Sequence, residues 1–167
     1  MGANLPSSVG TPEETLCTAL DALCEAGNVI SQSSLYCTEP VGLVEQPAFL
    51  NAVVLLEINN SMTPHSLLDE LLRIERQFGR DRAVELSMGP RSLDLDLLLA
   101  DDLVLSTVNL TLPHPRLHER AFVLVPLAEI APDLHHPVFG VTMKNLLKKL
   151  KYRTDQVVRV NSNIWQQ

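Results

Sequence analysis

Aromatic side chains are scarce in this chain of 167 residues: they form 4% of it, as one Trp, two Tyr and four Phe. Any platform for a flat ligand must therefore be built from one or two individual rings. Cations are in the minority as well, with 13 Lys and Arg against 20 Asp and Glu and a formal charge of -7. That balance excludes broad nucleic-acid binding, which needs a basic surface to displace counterions. It leaves room for a phosphate ligand met at short range by a few arginines. The three cysteines, Cys17, Cys24 and Cys37, form no CxxC pair and read as small core residues in a reducing compartment. No apolar run is long enough to span a membrane, and Met1-Gly2-Ala3-Asn4 does not open a signal peptide. The expectation is a cytoplasmic protein with no membrane partner.

What the chain has in quantity is Leu and Val. Hydrophobic residues make up 46% of it, enough for a core without metal or disulfide staples. The length suits one domain over residues 1–167. Thr11-Pro12-Glu13-Glu14 predicts a helix start with a capping box, and Gly27 ends the run. Strands are expected at 29–37 and 48–58. A helix opens at Thr63-Pro64, carries Leu67, Leu68, Leu71, Leu72, Ile74 and Phe78 on a broad apolar stripe, and stops at Gly79. Residues 80–91, with Arg80, Arg82, Arg91 and Gly89-Pro90, read as a loop and 93–99 as a strand. Asp101-Asp102 reads as a hairpin turn into 103–105. A short helical stretch near 118–129, a helix at 141–151 and a last strand at 156–160 complete the pattern. This order suggests an α+β sheet carrying helices, with the oddity that a helix comes first.

The segment Gly89-Pro90-Arg91-Ser92-Leu93-Asp94-Leu95-Asp96-Leu97 carries most information. In a strand, Leu93, Leu95 and Leu97 share one face and Asp94 and Asp96 the other, the two acidic Cα atoms roughly 6–7 Å apart. Like charges so close repel, and a divalent cation relieves the repulsion. Mg²⁺ suits, since it takes one or two carboxylates plus phosphate oxygens. On the repeat alone, a solvated acidic face of an edge strand is the simpler reading. The preceding Gly-Pro-Arg shifts the balance by setting a cation where phosphate oxygens would need one. His135-His136 reads as surface, because adjacent residues of an extended segment point opposite ways.

GPRSLDLDLLL (89–99) resembles the signature of the 6-hydroxymethyl-7,8-dihydropterin pyrophosphokinase family. Gly2-Ala3-Asn4-Leu5 resembles that family's GSNL opening. SSLYCTEPVG (33–42) and QPAFLNAVVLLE (46–57) resemble its substrate-side segments, LLRIERQFGR (71–80) its ATP-side helix, and LPHPRLHERAFVLVPLAEIAPDL (112–134) its downstream block. Several segments matching in order are far more specific than one motif.

The resemblance implies transfer of pyrophosphate from ATP to the hydroxymethyl oxygen of 6-hydroxymethyl-7,8-dihydropterin, releasing AMP, in folate biosynthesis. It implies two Mg²⁺ ions, a ferredoxin-like antiparallel sheet with helices on its faces, and a monomer. Asp94 and Asp96 become metal ligands and, with Arg82 and Arg91, catalytic residues. Phe49 and Phe122 match the rings that sandwich the pterin, Asn51 matches the amide on its edge, and Thr38 and Val41 lie in its substrate loop. Glu75, Arg82, Arg91, Leu97, Thr111, His114 and Arg120 match ATP-side positions. Three departures bear on this. Leu72 replaces a polar residue that some members carry on the ATP-side helix. Met88 stands where many members have Trp. Family members also carry an apolar strand ahead of GSNL, whereas Met1 here directly precedes Gly2; the expectation is a sheet lacking its first strand. The alternative is a shortened member that binds pterin and nucleotide without useful turnover.

Overall fold

The computed structural model describes residues 1–40, 45–59, 61–81 and 89–165. Contrary to the helix-first pattern, the first element is a two-residue strand, β1 (Gly2–Ala3). Helix α1 (Pro12–Leu23) follows, capped as its sequence predicts: the Glu14 amide donates to Thr11 Oγ1 at 3.3 Å, and the Thr11 amide donates to Glu14 Oε2 at 2.8 Å. Such a cap is worth about 1 kcal/mol.

The expected strand at 29–37 divides into β2 (Asn28–Gln32) and β3 (Tyr36–Thr38), and that at 48–58 into β4 (Phe49–Asn51) and β5 (Val54–Glu57). Each half pairs antiparallel with its opposite number, β3 with β4 and β2 with β5. Helix α2 (Pro64–Gln77) buries Leu67, Leu71 and Ile74 at helical spacing, with Phe78 just beyond it. Next come β6 (Leu105–Ser106) and β7 (Thr111–Leu112), a 3₁₀ turn at Leu117–Glu119, α3 (Ala121–Ile130), α4 (Met143–Lys149) and β8 (Val157–Arg159). The main sheet has the order β1-β4-β3-β8. The architecture is thus a mixed α+β one with antiparallel sheets.

One core cluster gathers α1, α2, Leu93 and Leu95. A second gathers α3, Met143 of α4 and Val53. Trp165 joins the first, its indole N–H donating to Ser33 O at 2.8 Å.

Three expectations need correction. Residues 93–99 form no strand ladder; a single bridge joins Asp94 to Gly2, with N–H···O bonds of 2.9 and 2.7 Å in the two directions. The physical reason is the partner: β1 is two residues long, so the ladder stops where it stops. The hairpin turn is not at Asp101-Asp102 but between β6 and β7, closed by the Thr107 amide donating to Leu110 O at 2.9 Å. Asp101 makes a separate tight turn with φ 46°. Finally, His136 is buried, stacked on Phe139 with ring centroids 4.3 Å apart, whereas His135 is exposed.

Candidate active site

The alternation read from the sequence survives without a ladder. Leu93 and Leu95 are buried in the core, while Asp94 and Asp96 line one cavity of about 690 Å³. The segment is held from the side by the opening tetrapeptide. Asn4 Oδ1 accepts from the Arg91 amide at 2.7 Å, and the Asn4 and Leu5 amides both donate to Arg91 O. The same Asn4 side chain donates to Pro47 O at 3.0 Å, so it clasps three segments around the site. Gly2 sits so close to β4 that a Cβ there would lie 2.7 Å from Asn51 Oδ1. The conformational tolerance of glycine is not the point; the absence of a side chain is.

Each aspartate meets arginine. Asp94 lies between Arg80, which touches Oδ1, and Arg91, whose Nη1 donates to Oδ2 at 2.9 Å. Burial pushes the Asp94 carboxyl up, but the two guanidinium charges outweigh it and hold the group below the usual range. Asp96 Oδ2 is 3.6 Å from Arg120 Nη1. The same two arginines cover the two rings: Arg91 lies over Phe49 at 5.7 Å from its centroid, and Arg120 over Phe122 at 5.6 Å. Each side of the cavity is thus an aromatic ring, an arginine and an aspartate in sequence.

Asn51 is fixed from below, its Nδ2 donating to Thr38 Oγ1 at 2.7 Å. Both are buried, and the β3–β4 register sets Thr38 opposite Phe49 and Asn51 opposite Tyr36. Because Nδ2 is engaged, the amide presents a defined edge. His114 closes the cavity; its amide donates to Leu98 O at 2.8 Å, and its Nδ1 accepts from the Arg116 amide at 3.1 Å. Burial lowers the His114 pKa, Asp96 opposes this, and Arg120 and Arg116 add to it. Because Nδ1 accepts from the Arg116 amide, the neutral ring carries its proton on Nε2.

Of the residues expected at the site, Thr38, Phe49, Asn51, Arg91, Asp94, Asp96, His114, Arg120 and Phe122 share this cavity. Leu97 lines a neighbouring cavity, and Thr111 is exposed in β7. Glu75 lies beneath the wall, 1% exposed, accepting from the Leu95 amide at 2.8 Å and from Arg80 at 2.6 Å. Val41, Arg82 and Met88 fall outside the described residues. Sequence reading missed Arg80 and Asn4 as site residues. Arg80 follows a helix-ending glycine, where a cation usually means a solvated end, and only the fold shows it turned inward.

The donor set suits magnesium. Among the described residues no group of three or more His, Cys, Asp or Glu could form a complete metal cage. Two carboxylates facing one cavity leave the remaining positions to phosphate oxygens and water, as Mg²⁺ prefers.

The sequence profile of 7,8-dihydro-6-hydroxymethylpterin-pyrophosphokinase matches residues 1–132. The chain is 43% identical over 135 residues to the 2-amino-4-hydroxy-6-hydroxymethyldihydropteridine pyrophosphokinase of Haemophilus influenzae, covering 80% of this chain and 82% of that one. It is 44% identical over 132 residues to the Bacillus subtilis enzyme of the same name, covering 78% and 77%. It is also 36% identical over 148 residues to the folic acid synthesis protein fol1 of Pneumocystis carinii, covering 88% of this chain but 20% of that longer protein. Geometry and similarity agree: the chain belongs to the 7,8-dihydro-6-hydroxymethylpterin-pyrophosphokinase family and is an ATP-dependent pyrophosphokinase of folate synthesis.

Proposed function

We propose that Asp94 and Asp96 hold two Mg²⁺ ions against the triphosphate of ATP while Phe49, Phe122 and Asn51 hold the pterin alcohol beside them. The observation that carries this reading is the shared cavity: both carboxylates and both rings line it.

When bound, the metal supplies charge neutralisation of the phosphates and lowers the pKa of an alcohol that meets it. The protein does the rest by position and charge. Arg91 and Arg120 already lie over the two rings, so a ring-bound substrate meets them as the phosphates arrive. With Asp94 and Asp96 holding the metal, Arg91 and Arg120 would be left to phosphate oxygens, exchanging one charge-assisted bond for another. Neutral His114 donates from Nε2 to a phosphate oxygen. Asn51 and Thr38 read the donor and acceptor edge of the pterin. Val41 is assigned to the substrate side and Arg82 to the ATP side by the family resemblance alone, both lying outside the described residues, and Leu97 and Thr111 contribute from the nucleotide side. Glu75 acts through Arg80 and the Leu95 amide, fixing the acidic segment from behind.

The reading extends to a monomeric, cytoplasmic unit of ferredoxin-like fold over residues 1–167, without nucleic-acid partners. The test is release of AMP from ATP and 6-hydroxymethyl-7,8-dihydropterin. Asp96→Ala is expected to lose at least about a hundredfold in turnover at saturating Mg²⁺. Turnover within a few-fold of the parent would sink the two-metal scheme.

A further inference from the structure

The two long strands expected at 29–37 and 48–58 break at the same level, β2 from β3 at residues 33–35 and β4 from β5 at Ala52 and Val53. Ser33 bridges the break: its amide donates to Val53 O at 2.9 Å, and its Oγ accepts from the Val53 amide at 3.0 Å. The next amide, that of Ser34, leaves the ladder while the residue stays 4% exposed. A buried N–H needs a partner. It finds one on α3. The Ser34 amide donates to Glu129 Oε2 at 3.0 Å, Ser34 Oγ donates to Oε1 at 2.7 Å, and the Tyr36 hydroxyl donates to Oε2 at 3.0 Å. Three donors from β3 and the residues before it thus converge on one carboxylate. Arg159 of β8 stands further off, its Nη2 4.0 Å from Oε1.

Both elements lead from this point to the candidate active site. Phe122 lies seven residues before Glu129 on α3. That is two turns, hence nearly the same face and about 10 Å along the axis. Thr38 lies two residues after Tyr36 on β3, on the same face of the strand. Thr38 and Phe122 line the cavity together, Thr38 holds Asn51, and Phe49 stands opposite Thr38 in the β3–β4 register. Helix and strand therefore run side by side in opposite directions, hydrogen-bonded at one end and flanking the cavity at the other. The remaining holds on α3 are weakly directional. Val123, Leu124 and Leu127 pack with Val53 and Met143. Burial of that kind attracts without fixing a position along the axis. The start of α3 has no side-chain cap. A helix that slid would carry the Phe122 ring with it.

We propose that Glu129 is a positioning residue for pyrophosphoryl transfer: by fixing α3 along β3, it sets the gap between Phe122 and the Asn51–Thr38 edge. The inference rests on the proposed function, in which Phe122 is a platform for the pterin. Geometry rather than charge carries the effect. Glutamine has the reach and shape of glutamate. Its oxygen can stand where Oε2 stands, and its amide can donate to Ser34 Oγ, which accepts as well as donates. Aspartate keeps the charge but is one methylene shorter, so it either loses the three bonds or draws α3 towards β3. Arg120 moves with the helix as well, but its long side chain has more torsions with which to compensate than a ring has.

The test compares Glu129→Asp with Glu129→Gln in the full chain, pterin and ATP being varied in turn in the AMP-release assay. Glu129→Asp should raise pterin KM roughly tenfold, with a smaller change for ATP, and Glu129→Gln should stay within about threefold of the parent. If Glu129→Asp loses the circular dichroism of the parent, Ser34→Ala/Tyr36→Phe, which removes two of the three donors, is measured instead with the same expectation. Fluorescence titration with the pterin then shows whether the effect passes through the ring. Glu129→Asp should weaken binding in the parent and add little to Phe122→Ala, because residues that act as a unit are not additive. The inference is overturned if Glu129→Gln is impaired as much as Glu129→Asp, if both KM values rise equally, or if the two substitutions add in full. Undiminished pterin affinity in Phe122→Ala would remove the proposed platform itself, and this inference with it.

Discussion

Glu75 and Arg80 form an ion pair out of water, Nη1 to Oε1 at 2.6 Å, with side chains 1% and 7% exposed. It lies directly behind Asp94, which the same guanidinium touches. Burying such charges is costly, and breaking one leaves the other stranded. Arg80→Met should cost about 3–5 kcal/mol in denaturant unfolding. Glu75→Gln/Arg80→Met should recover much of that loss but not turnover, because Asp94 would still lack one of its arginines. Equal loss in the single and double variants would refute the pairing.

Asn51 and Gly2 should be coupled through space. A methyl group at Gly2 meets Asn51 Oδ1 at 2.7 Å. Gly2→Ala should therefore turn the Asn51 amide and raise KM for the pterin, while KM for ATP stays near the parent value. Asn51→Ala should raise pterin KM roughly tenfold or more, the loss of one or two buried hydrogen bonds. Steady-state kinetics with each substrate varied in turn decides it; a rise confined to ATP would contradict the assignment.

Phe122 seats Arg120 over its ring, and on the proposed reading the same ring is a platform for the pterin. Phe122→Ala should weaken pterin binding by about 0.5–1.5 kcal/mol beyond lost area, while Phe122→Tyr keeps the ring and most of the affinity. Fluorescence titration with the pterin would show the difference, and equal affinity in the two variants would rule out stacking.

Tyr36 should carry a stability that fails in alkali. Burial, and its hydroxyl's hydrogen bond to Glu129 at 3.0 Å, raise its pKa to about 12. The folded pKa lies above the ordinary phenol value of about 10. The contribution is therefore complete below pH 10 and is lost as pH rises through 12. Unfolding free energies of the parent and Tyr36→Phe should converge over that window. Parallel curves would show that Tyr36 titrates normally.

The legible part of this molecule is local. Thr11 and Thr63 mark helix starts because the cap and the first turn lie within four residues, and both caps form. The LDLD alternation places Asp94 and Asp96 together because side-chain direction in extended backbone has a period of two. The hairpin was misplaced because Asp101 does make a turn, with φ 46°, yet the segment after it finds its partner only at β7. His136 was read as surface because nothing nearby in sequence announces that Phe139 folds back over it.

Sequence alone determined the family of the chain and that Asp94 and Asp96 face the same way. Only tertiary structure decided that Arg80 turns inward to Asp94, that Asn4 clasps Arg91 and Pro47, and that Glu75 supports the acidic segment rather than lining the cavity. The reason is range. Backbone periodicity and capping act over a few residues, whereas a buried charge takes its partner from whatever the fold brings within a few ångströms, however distant in the chain.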